Sequence, residues 1–114
     1  MGPSGPNNLN VNPQSIAYTA QLSDAGGIIL HPSSDGSART FTIPANASVP
    51  YALGTTITFI NEHGAGLVTI AVNTDGLYFS PGGGTGSRTL TANGIATAVK
   101  LTSNEWLISG SGLS

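Results

Sequence analysis

Apolar residues alternate with threonine along much of the chain, and this period of two most constrains its fold. It is clear in "RTFTI" (39–43), "TTITFIN" (55–61), "LVTIAV" (67–72) and "IATAVKLT" (95–102). Such a period puts one residue type on each face of a pleated strand. Phe41 and Ile43 oppose Thr40 and Thr42. Ile57 and Phe59 oppose Thr56 and Thr58. Val68, Ile70 and Val72 alternate with Thr69 and Ala71, and Val99 and Leu101 with Lys100 and Thr102. Threonine suits the wet face of a sheet that cannot use charge. No window offers apolar residues at helical spacing with helix formers between, so no amphipathic helix is expected.

Further short runs complete the set: "SIAYTAQL" (15–22), "GIILH" (27–31), "GLYF" (76–79), "SRTLT" (87–91) and "EWLIS" (105–109). Between the runs stand "SDAGG", "SSDGS", "EHGAG", "NTDG", "PGGGTGS", "ANG" and "SNE". The Asp-Gly pairs are expected in tight hairpin turns, where glycine supplies positive φ. The expected fold is all-β: a small antiparallel β-sandwich or barrel, jelly-roll-like, of about eight or nine short strands. The longest gap, Ile43 to Thr55, contains Pro44 and Pro50 and is expected to cross between sheets, with Tyr51 and Leu53 tucked beneath it.

The chain has 114 residues, one domain with a modest core. Residues 1–15 are rich in Pro, Gly and Asn and are expected to form an extended N-terminal arm, with the β domain spanning 16–114. The arm opens on "GPSGP", the period of collagen, but two triplets cannot form an independent triple helix.

Only 7% of residues are charged, against about 25% in an ordinary domain. With three basic residues and a formal net charge of −2, the phosphate-neutralising contribution to nucleic-acid binding is nearly absent. A basic membrane-surface patch is excluded on the same ground. No apolar run is long enough for a transmembrane helix, and no signal peptide is expected. The absence of cysteine fits assembly in a cytosol. A surface so poor in ions accepts burial against another chain, because few charges need desolvation.

Residues capable of chemistry do not converge. His31 and His63 are expected in turns or at the surface, since a zinc site needs three or four ligands at tight spacing. No "GxSxG" elbow supports a serine triad. "PGGGTGS" lacks the lysine of a phosphate loop and opens no helix. "TDG" and "SDG" lack the oxygen alternation of a calcium loop. The five acids offer no pair for glycoside hydrolysis. Trp106, in the apolar run "EWLISG", is expected to plug the core. The expectation is a protein that is not an enzyme and has no cofactor.

The run from Ile16 to Leu113 resembles a small β domain of tailed-bacteriophage and prophage virion proteins. The residues carrying the likeness are Asp24-Ala25-Gly26, "FTIPANASVPYALGTTITF" (Phe41 to Phe59), "GAGLVTIA" (Gly64 to Ala71), "DGLYF" (Asp75 to Phe79) and "ATAVKLTSNEWLISGSGL" (Ala96 to Leu113). The resemblance implies a virion structural protein of decoration or fibre type. The expected role is a capsid decoration (cement) protein on the outer surface of the head. It would be assembled in the host cytoplasm and bind the major capsid protein as a homotrimer. The arm residues Pro3, Pro6, Leu9, Val11 and Pro13 would grip the partner by extended docking. The alternative is a tail-fibre or receptor-binding tip, touching the host through loops such as 31–38 or 81–87.

Overall fold

A computed structural model describes residues 8–114. The fold is nearly all β: β1 Val11–Pro13, β2 Tyr18–Thr19, β3 Ile28–His31, β4 Arg39–Ile43, β5 Thr56–Asn61, β6 Val68–Val72, β7 Gly76–Phe79, β8 Arg88–Thr102 and β9 Glu105–Leu113. One 3-10 turn lies at Leu22–Asp24. The strands form one curled sheet, a half-barrel, in the order β1-β3-β5-β8-β6-β4-β2, with β9 beside β8 and β7 beside β9.

The pairing is mixed rather than wholly antiparallel. β1, β3 and β5 are parallel neighbours, and so are β2, β4 and β6. β5 runs antiparallel to residues 94–99 of β8, and β6 to residues 88–90. The first six strands therefore alternate between two wings that share β8 as a spine. Wing A holds β1, β3 and β5. Wing B holds β2, β4 and β6. Among the turn signals, only Ser103-Asn104 joins strands that pair with each other, β8 and β9. Ser34-Asp35-Gly36 and Thr74-Asp75-Gly76 turn corners and are not hairpins. Such residues fix where a chain bends, not which strand it meets next.

"ANG" is likewise no break between strands. β8 continues through it with a register shift between Leu90 and Ile95, and Asn93 takes a φ of 65°. Gly94 is required there, because a Cβ would lie 2.6 Å from both Leu90 Cδ1 and Thr91 O.

The inner faces of the wings meet in one core. Ile29, Phe59 and Ala96 are in register on wing A, as are Ile57, Ala98 and Ile108. Phe41, Ile43, Val68 and Ile70 face them from wing B with Leu90 of β8 beside Val68, and Leu77 and Trp106 fill the side at β7 and β9. Trp106 is the expected core plug, its ring edge-on to Tyr51 at 5.6 Å. Two expectations are reversed. Leu53 is exposed while Tyr51 is buried, and Lys100 points inward while Leu101 points to solvent. Space decides the second. Phe59 and Ile57 already fill the core opposite Ala96 and Ala98, so the small-residue face of β8 turns in and carries Lys100 with it.

Candidate functional site

The proposed arm residues meet the fold at β1. Pro3 and Pro6 lie outside the described residues. Leu9 is exposed just before the strand, and Val11 and Pro13 are exposed within it. The even positions bond to β3: Asn10 O accepts from Ile28 N at 2.8 Å, and Gln14 N donates to Leu30 O at 2.8 Å. Val11 and Pro13 therefore turn their backbone groups to the free margin. Proline has no N–H to offer there, which blunts the edge against strand addition. The margin is short, so a partner would meet the face beside it.

That face is the outer surface of wing A. One row across the sheet reads Val11, Ile28, Thr58, Thr97 and Ser109. The next reads Pro13, Leu30, Ile60, Ile95 and Ser111. Thr58 and Thr97 share a hydroxyl hydrogen bond at 2.9 Å. No charged residue interrupts either row. Val11 is 51% and Ile95 46% exposed. A contiguous uncharged patch with apolar residues at its centre marks an interaction surface more often than free solvent contact. The outer face of wing B differs in chemistry: Thr40, Thr69 and Thr89 form one row, and Thr19, Thr42 and Ala71 the next.

Among the polar groups at one corner of the fold, His31 departs from its expected place. His31 is fully buried rather than in a turn. It stands where β3 ends and the chain turns from wing A to wing B. Its Nδ1 is 2.8 Å from Asn61 Oδ1 and its Nε2 2.8 Å from Asp35 Oδ2. Asn61 Nδ2 donates to Gly66 O at 2.8 Å and to Leu90 O at 3.0 Å. Arg39 closes the group with Nε 2.8 Å and Nη2 3.2 Å from Asp35. The Arg39 guanidinium, then His31, hold the Asp35 carboxyl well below the usual carboxylate range, and Asp35 in turn raises Arg39. The signal was present in "GIILH", where His31 shares its face with Ile29, and in "TITFIN", where Asn61 shares its face with Phe59.

A second group ties β1 to the body. Asp24 is buried. It accepts from Tyr18 Oη at 2.6 Å, Asn12 Nδ2 at 2.9 Å and Gln21 N at 2.8 Å. Burial, with Asp24 beside it, pushes the Tyr18 hydroxyl up to about 12. Burial and the charge of Asp24 also raise Tyr51, whose hydroxyl donates to Gln21 O at 2.7 Å. Gln14 donates to Asn12 Oδ1 at 2.9 Å. Residues 12 and 14 of the expected arm thus belong to the sheet and its hydrogen-bond network.

Both groups are spent on their own hydrogen bonds. Among the described residues no cavity forms and no cluster of three His, Asp or Glu could hold a metal ion. No helix among them is long and apolar enough to cross a membrane. The outer face of wing A, with its β1 margin, is an uncharged surface outside these networks. Comparison of the chain with protein-family models, with curated proteins and with solved structures finds no match.

Proposed function

We propose that this domain is a docking module without catalytic chemistry, a virion structural protein of the kind its sequence resembles. In this reading it decorates the outer surface of a phage head as a homotrimer and stabilises the shell by binding the major capsid protein. The observation that carries the reading is the uncharged outer face of wing A, continuous from Val11 and Pro13 across Ile28, Leu30, Ile60 and Ile95. Burying such a face contributes about 25 cal/mol per Å² of apolar area, and no ion on it has to be stripped of water. Three copies acting together multiply a modest single affinity.

Co-sedimentation with cognate capsids lacking the protein tests the reading. The wild-type chain is expected to pellet with them and to run as a trimer by light scattering. Ile95→Glu, an exposed change that leaves the core intact, should weaken capsid binding at least tenfold. Thr69→Glu on the outer face of wing B should not. Equal binding by wild type and Ile95→Glu would overturn the assignment to wing A. Attachment to bacterial cells with no affinity for capsids would make the domain a tail-fibre tip instead.

A further inference from the structure

Lys100 is the one lysine of the chain, and it is 2% exposed. It points inward from β8, paired in register with Trp106 on β9. Buried lysines are normally paired with a carboxylate. Among the described residues no acid lies within ion-pair distance of this one; the ion pairs there are both made by Asp35, with His31 and Arg39. Nζ donates instead to neutral oxygens, Asn46 Oδ1 at 2.6 Å and Tyr51 O at 2.9 Å. Asn46 is itself fixed, its backbone N donating to Asp75 Oδ2 at 3.0 Å. An amine and a carboxamide thus stand in contact, brought together from β8 and the segment after β4, with the residue before β7 holding the backbone of that segment.

We propose that Lys100 and Asn46 join in an intramolecular isopeptide bond. With Oδ1 2.6 Å from Nζ and a C=O bond of about 1.2 Å, Asn46 Cγ is at most about 3.8 Å from the amine. That is close to the near-attack range of about 3–3.5 Å. The attacking form is the unprotonated amine. Rotation of the Asn46 amide about its broad χ2 presents Cγ to Nζ. The Nζ–Cγ bond forms and the Cγ–Nδ2 bond breaks. The proton given up by the amine goes to the departing nitrogen, which leaves as ammonia and is protonated in water. The Lys100 ammonium and the Asn46 carboxamide become a secondary amide and an ammonium ion. Atoms and charge balance without an oxidant or co-reactant. The site is independent of the docking reading.

Mass spectrometry of the purified, denatured full-length chain tests this directly. The wild type is expected to be lighter than its sequence by one molecule of ammonia. Lys100→Met and Asn46→Ala should return to full mass. A succinimide at Asn46 would also lose ammonia. The distinguishing result is therefore a proteolytic fragment joining the peptides of residues 46 and 100, with amine reagents labelling only the α-amino group. A wild-type chain at full mass overturns the proposal. So does an ammonia loss that persists in Lys100→Met. Neither result requires any variant beyond Lys100→Met to fold.

Discussion

Two of the buried polar groups in this small core are built on opposite terms. At the corner between the wings, every charge has a counter-charge or a carbonyl: Asp35 faces Arg39 and His31, and Asn61 serves His31 and two backbone oxygens. Beside Trp106, the Lys100 amine meets only neutral oxygens, and the nearby carboxylate of Asp75 is engaged by the backbone of Asn46. The first arrangement is complete and gains nothing by reacting. The second holds a nucleophile against an electrophile and gains a covalent bond. A buried polar network is read by whether its members are satisfied, and less by how many there are.

The contrast can be broken most sharply at the reactive pair. A link between residues 54 apart in sequence removes chain entropy worth about 4 kcal/mol in the loop-closure picture. Lys100→Met and Asn46→Ala should each cost about that much in denaturant unfolding, and the double variant no more than either alone, because both delete the same bond. Additive losses would reduce the pair to separate contacts. At the corner, Asn61→Ala should cost about 3 kcal/mol, since it strands buried carbonyls and one histidine nitrogen. A loss under about 1 kcal/mol would show that the corner does not depend on its network. The smallest effect is on pH. The Asp35 carboxyl is held low when folded, so its stabilisation is complete above the unfolded carboxylate value of about 4 and is lost as pH falls below it. Acid titration of unfolding should show this decline, and Asp35→Asn should flatten it.

Much of this was legible in the sequence at the level of single strands. β4 and β7 begin and end where the alternation put them, and Trp106 is the plug its neighbours implied. The all-β fold follows from the same pattern, but β1 lies in the stretch read as an arm, and the runs 87–91 and 95–102 are one strand, β8. Pairing was not legible, because Asp-Gly and Gly-rich segments look alike whether they close a hairpin or carry the chain from one wing to the other. The face of β8 was not legible either. Alternation allows Ala96, Ala98 and Lys100 to point in or out, and only the bulk of Phe59 and Ile57 across the ladder decides. The outer face of wing A escaped for a related reason. Its apolar rows come from separate strands and exist only once β1, β3, β5 and β8 lie side by side.

The alternation of strands between wings also has a consequence for synthesis. Until β9, a strand leaving the ribosome finds no partner in the strand made just before it. β3 must wait beside β1 while β4 travels to the other wing. β5 and β6 gain their common neighbour only when β8, near the C-terminus, has been made. The nascent chain therefore carries unpaired strand edges for most of its translation, and the low-charge surface gives little repulsion between chains on one polysome. Ordering should come late and all at once, on release of the final hairpin, so the last two strands act as the clasp that turns a loose ribbon into a domain.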